Sequence, residues 1–349
     1  MSPNAGPPDG ENTLAHESAD DGALDVIELD DDEMDAAPDS AIEVAPELIV
    51  LDDDAIEWTP ERDTEEEAGA GVEDPDEIIM LADESDERSR ALMEQRAALH
   101  AEAMLHARAG RADDAWARYR AALDLARQLD DAHAERAELH GLAILSAQAG
   151  FAEEARSGFQ AALDLARQLG DLDGERAELH GLAVLDARAG RLAEARRGFQ
   201  AACDLARRVG DARAERAERH EIAGLDAREG HVESARAGFE AALEIARQCD
   251  DFSGQSIELQ ALGFRDLNMG RDREAGMELR EALALAREVQ QPVLIARALW
   301  SLAELDVRAG RREAACANYR DALATYEQVG DPDAHNAYLR IRLRELGCP

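Results

Sequence analysis

No lysine occurs in this chain of 349 residues: all 38 basic side chains are arginine. Codon bias in a GC-rich genome and selection against lysine modification both produce such a composition. No run of 18 apolar residues occurs either, and the opening MSPNAGPPDG has neither a basic nor an apolar region. The chain therefore reads as cytoplasmic, without membrane span or export signal. Cysteine is scarce, and Cys203, Cys249, Cys316 and Cys348 lie far apart with no CxxC pair, which fits free thiols better than a disulfide framework or a zinc site. HExxH, GxSxG and P-loop patterns are all missing, so neither enzyme activity, metal nor cofactor is expected. A formal net charge of −39 offers phosphates no general basic surface, so nucleic acid is not an expected partner.

The charge is uneven. Residues 1–88 hold 32 acids against two arginines, Arg62 and Arg88, a net of −30, whereas the rest of the chain carries only −9. Such self-repulsion with few aromatics leaves too little apolar area to offset the entropy of ordering, so 1–85 reads as a disordered acidic tail. Three short stretches stand out in it: DVIELDDD (25–32), ELIVLDDD (47–54) and EIIMLADE (77–84). In each, apolar residues (Val26, Ile27 and Leu29; Leu48, Ile49, Val50 and Leu51; Ile78, Ile79 and Leu81) are flanked by acids. Such a segment suits addition to an exposed sheet edge with a basic rim, or docking as a helix in a groove.

Beyond the tail the chain is rich in Ala, Leu, Arg and Glu, which favours helix. Glycine recurs at Gly110, Gly150, Gly190, Gly230, Gly270 and Gly310, an unbroken period of 40 that marks stacked supersecondary units. Within the third unit Leu179, Leu182, Ala183 and Leu185 form one helical stripe that ends at Gly190, and Ala195, Phe199, Ala202 and Ala206 form a second. Asp131, Asp171, Asp211, Asp251 and Asp331 stand where a helix N-cap is needed, and Pro292 and Pro332 at first helical positions. Cys203 occupies the position of Leu123, Leu163 and Leu243, which makes it a small core residue.

On these residues the chain resembles the tetratricopeptide repeat (TPR) family, in the 40-residue variety similar to kinesin light chain-type adaptors. Leu179, Leu182, Ala183, Gly190, Ala195, Phe199 and Ala202 fall on the family's positions. The resemblance implies an all-α solenoid: six helix-turn-helix repeats over 86–331 and a capping helix in 332–349, with the outer face of the cap made polar by Arg342. The family's tyrosine late in the first helix is replaced by His106, Ser146, Asp186, Asp226, Asp266 and Asp306, which points to ion pairs with arginine between repeats.

The resemblance also implies that first helices line a concave, peptide-binding face. Histidine recurs at His100, His140, His180 and His220; a ladder of single histidines spaced about 10 Å apart cannot chelate one ion. Arg136 and Arg176 precede their histidines by four residues, and Arg188, Arg228 and Arg308 lie eight beyond the histidine position, so the groups share one side of the helix. Toward the C-terminus Phe264, Leu267, Asn268 and Trp300 continue the face. The expected function is a protein-binding scaffold or adaptor that takes peptide or partner segments in this groove. Two alternatives stand beside it: a peptide- or ligand-responsive regulator, and a self-assembling structural solenoid. About 35 residues of tail span on the order of 33 Å, enough for ELIVLDDD to reach and occlude the groove in cis.

Overall fold

The computed structural model describes residues 25–27, 49–51, 75–329 and 333–348. Two short strands, β1 (Asp25–Ile27) and β2 (Ile49–Leu51), pair antiparallel with Val26 opposite Val50. The first two acidic–apolar stretches thus pair with each other. The third lies inside a helix, α1 (Pro75–Arg108), rather than in a strand. The expectation of a disordered tail otherwise falls outside the described residues.

Six helix pairs follow one another. They are α1 with α2 (Ala112–Gln128), α3 (Ala132–Gln148) with α4 (Ala152–Leu169), and α5 (Leu172–Arg188) with α6 (Leu192–Val209). Next come α7 (Ala212–Arg228) with α8 (Val232–Gln248), α9 (Phe252–Asn268) with α10 (Asp272–Glu288), and α11 (Pro292–Arg308) with α12 (Arg312–Val329). A shorter α13 (Asp333–Glu345) closes the stack. Each helix packs on the next, and first helices also touch across repeats, α3 on α5, α7 on α9 and α9 on α11.

The turn chemistry follows the period of 40. Glycines 110, 150, 190, 230, 270 and 310 all take the left-handed conformation that ends each first helix. Asp131, Asp171, Asp211 and Asp251 accept the backbone N–H three residues on, at 2.8–2.9 Å, which satisfies a free donor of the helix they begin. Asp331 lies outside the described residues. Second helices carry the buried Phe159, Phe199, Phe239, Leu279 and Tyr319 among alanines, and Cys203 is buried as expected.

Two expectations at the C-terminal end are corrected. Cys316 and Cys348 are joined in a disulfide, because the end of the chain folds back along α12 and brings their Cα atoms to 5.8 Å. Arg342 does not face outward: it turns in to Glu304 at 3.0 Å, beside Tyr319 and Tyr338, whose hydroxyls also donate to that carboxylate.

Candidate functional site

From the second repeat on, few residues of the first helices are exposed, and a ladder of charge runs through them. Glu138, Glu178, Glu218 and Glu258 are each 0% exposed. An ionised carboxylate held away from water needs partners that carry opposite charge, and each of these receives two from the preceding repeat. Arg96 and His100 approach Glu138 at 3.2 and 2.9 Å, and Arg136 and His140 approach Glu178 at 3.0 and 2.9 Å. Arg176 and His180 meet Glu218 at 3.5 and 3.0 Å, and Arg216 and His220 meet Glu258, both at 2.8 Å. The far side of every imidazole stands edge-on to the aromatic ring of its own second helix: Tyr119, Phe159, Phe199 or Phe239, at 5.1–5.6 Å between centroids.

Small residues decide how far each arginine reaches. Arg136 and Arg216 extend past their glutamates to the capping Asp171 (3.0 Å) and Asp251 (3.3 Å), over Gly174 and Gly254. A Cβ on either glycine would stand under 3.0 Å from both groups. Where the fourth repeat has Ala214 at that place, Arg176 stays at the longer 3.5 Å from its glutamate.

A second ladder runs along the turn edge. Arg156 reaches Asp186 at 2.5 Å, Arg196 reaches Asp226 at 2.7 Å, and Arg236 reaches Asp266, each from a second helix to the next first helix. These are the inter-repeat pairs expected where the family has tyrosine. The first rung is aromatic instead, with Trp116 and Phe151 edge to face at 6.2 Å. Asp226, Glu229 and His231 lie close enough to hold a cation, but the Arg196 guanidinium already bridges both carboxylates.

The expected groove is therefore corrected. Arg136, Arg176 and His180 are buried inter-repeat fasteners rather than surface ligands, His140 and His220 are half-buried in the same role, and Leu267 is a core residue at 0% exposure. The spacing does place these groups on one side of the helix, but that side faces the next repeat. Glu178, Glu218 and Glu258, the residues that absorb these charges, are missing from the expected site.

Six expected residues reach the surface. Phe264, Trp300 and Arg188 are half-buried, and Arg228, Asn268 and Arg308 are exposed at the C-terminal ends of their helices. Arg188 and Arg308 donate to the carbonyls of Ala147 and Leu267, end carbonyls of the preceding first helix, so they also cap. Trp300 packs on Tyr338 and His335 of α13, centroids 4.9 and 5.8 Å apart.

Two of the groups shifted from their ordinary range bear on stability around neutral pH. Burial of the His180 imidazole opposes its charging, but the Glu218 carboxylate outweighs this and holds its pKa above 6.5. Burial, with Asp266 nearby, pushes the Glu278 carboxyl up to about 7 against the pull of Arg236. Both groups bind more protons in the folded chain than in the unfolded one, so both make stability fall as pH rises. The Glu278 share is lost between about 4.5 and 7; the His180 share is intact below 6.5 and is lost as pH rises through its higher folded value. Urea midpoints should therefore decline from pH 5 to 8, with Glu278→Gln flattening the lower part and His180→Gln the upper. A midpoint that rises over this range contradicts the assignment.

A family model described as anaphase-promoting complex subunit 5 matches residues 77–140, 133–174 and 256–309, all within the repeats or at their start. The fold is similar to the apo form of the quorum sensor NprR from B. thuringiensis, with a TM-score of 0.57, 14% identity, and 77% of this chain and 76% of that one covered. It is also similar to aspartyl phosphate phosphatase F from Bacillus subtilis, with a TM-score of 0.56, 8% identity, and coverage of 78% and 75%. A Rap protein complexed with competence and sporulation factor matches with a TM-score of 0.54, 14% identity, and coverage of 72% and 75%. No curated protein matches the chain in sequence.

Proposed function

We propose that this chain, a TPR-type repeat protein, is a non-enzymatic adaptor that binds acidic–apolar segments of proteins on the first-helix face of its last two repeats. One observation carries the reading: the Arg–His–Glu ladder stops at Glu258. In the fifth repeat Ser256 and Gln260 stand in place of arginine and histidine, and they bond to the carbonyls of Ala282 and Leu294. In the sixth repeat the three places hold Ala296, Ala298 and Trp300. With no glutamate to enclose it, this face keeps Phe264 and Trp300 partly open, bordered by Asn268, Arg308 and, one repeat earlier, Arg228. Aromatic and arginine side chains around a partly apolar surface are what anchor a peptide. The likeness to a Rap protein solved with a signalling factor lends support at the level of fold alone.

The chain's own ELIVLDDD has the matching chemistry, so occlusion of this face by the tail belongs to the proposal. A labelled 44–58 peptide titrated into residues 75–349 should bind with a dissociation constant of tens to hundreds of micromolar, an affinity of about 5–6 kcal/mol. Phe264→Arg with Arg308→Glu should weaken it at least tenfold. Equal binding to both proteins, or none at millimolar peptide, would overturn the proposal.

The ladder disfavours end-to-end assembly. The first repeat has Ala98 where a glutamate would await arginine and histidine from a preceding copy. Beyond the sixth repeat, α13 covers the other end.

A further inference from the structure

Among the described residues one covalent bond joins parts of the fold distant in sequence. Cys316, on α12, is bonded to Cys348, which lies beyond α13 and 32 residues further on. Cys316 is 5% exposed, whereas Cys348 is partly open to solvent. Beside it, Arg312 donates to the carbonyl of Gly347 at 2.8 Å. The bond therefore fastens the C-terminal end of α13.

The rest of α13 is seated without covalent help. His335 stacks on Tyr326 with centroids 5.1 Å apart and meets Trp300 edge-on, while Leu339 is fully buried. Arg342 and Tyr338 converge with Tyr319 on Glu304. Under this seat lie Tyr319 and Tyr326, each 0% exposed, with Leu299 and Trp300 at its border. Every earlier repeat buries the equivalent face against its successor; here a single helix of 13 residues covers it.

We propose that Cys316–Cys348 is a reversible thiol–disulfide latch that holds α13 over the aromatic end face of the sixth repeat, and that its reduction lets α13 open from its C-terminal end. The reductant is a dithiol. Its thiolate attacks the more accessible Sγ, that of Cys348; the S–S bond breaks and Cys316 leaves as a thiolate that takes a proton. The second thiol of the reductant then attacks the mixed disulfide and releases Cys348 as a thiol. Two electrons and two protons have passed to the cystine, and the reductant ends as a cyclic disulfide. A low-molecular-weight disulfide closes the latch by the reverse exchange. Helix ends open before helix centres, so a bond at the last turn governs the step that starts the opening.

The test uses the full chain, oxidised with glutathione disulfide or reduced with dithiothreitol. Without reductant, alkylation in denaturant should label Cys203 and Cys249 and leave Cys316 and Cys348 unlabelled. Hydrogen exchange in 333–346 should quicken at least tenfold on reduction, a lower bound drawn from the usual effect of removing a cross-link. Exchange in 132–190 should not change. Cys348→Ser should show the fast exchange in both conditions. Labelling of all four cysteines after oxidation, identical exchange in the two states, or acceleration spread through 132–190 would each overturn the proposal. None of these readouts depends on a partner binding to the face around Phe264.

Discussion

Glu178→Ala is expected to destabilise the solenoid by about 3–5 kcal/mol, the usual cost of removing one partner from a buried charge cluster. Glu178 is 0% exposed, and the side chains left behind, Arg136 and His140, are held at 4% and partial exposure in the seam between the second and third repeats. Arg136 keeps Asp171, on which its Nε sits at 3.0 Å, but its Nη1 loses its acceptor, and the His140 Nδ1 loses the carboxylate at 2.9 Å. The loss should fall mainly on removal of the charge. Arg136→Met, His140→Leu and Glu178→Leu together replace the cluster by apolar groups of similar size, and most of the stability should return. Urea unfolding followed by circular dichroism separates the outcomes. A single variant within about 1 kcal/mol of the parent would mean that water reaches the cluster and the charges are not buried in solution.

Phe199→Ala should cost a similar amount, about 3–5 kcal/mol, through loss of apolar burial and the cavity left behind. Phe199 is 0% exposed and packs with Ala183, Ala187 and Ala195, while the His180 ring meets its edge at 5.4 Å. The alanines among its neighbours have no side chain to swing into the space, so the site collapses little. The change also loosens the ring against which the Glu218 rung is set, which ties the third repeat to the fourth. In a stack whose units contact only their neighbours, weakening a middle unit divides the array into two halves. Unfolding of the variant should therefore broaden or split into two steps. A sharp single transition at nearly the parental midpoint would contradict this packing role.

The period of 40 makes the repeats, their caps and their core plain from residues alone: left-handed glycines, capping aspartates and buried Phe199 all lie where spacing puts them. The direction in which the Arg136–His140 side faces is harder to read. Side-chain spacing assigns residues to a face of a helix, but only the neighbouring helix decides whether that face is groove or seam. The signal was nevertheless present. Arginine and histidine occur together in repeats one to four (Arg96, His100 to Arg216, His220), whereas the glutamate occurs in repeats two to five (Glu138 to Glu258). A donor set and an acceptor set displaced by one repeat are what pairing between repeats requires. Arg156, Arg196 and Arg236 with Asp186, Asp226 and Asp266 show the same displacement. The Cys316–Cys348 bond had no such signal, because it depends on where the end of the chain folds back, and no period governs that.

The arginine–histidine–glutamate ladder holds repeat to repeat. A double-mutant cycle on Arg136→Met and Glu178→Leu, read by equilibrium unfolding of the full chain, tests it most directly. A coupling energy of about 2 kcal/mol or more is expected, with the double variant more stable than Glu178→Leu alone. Additive losses, with coupling under about 0.5 kcal/mol, would contradict it.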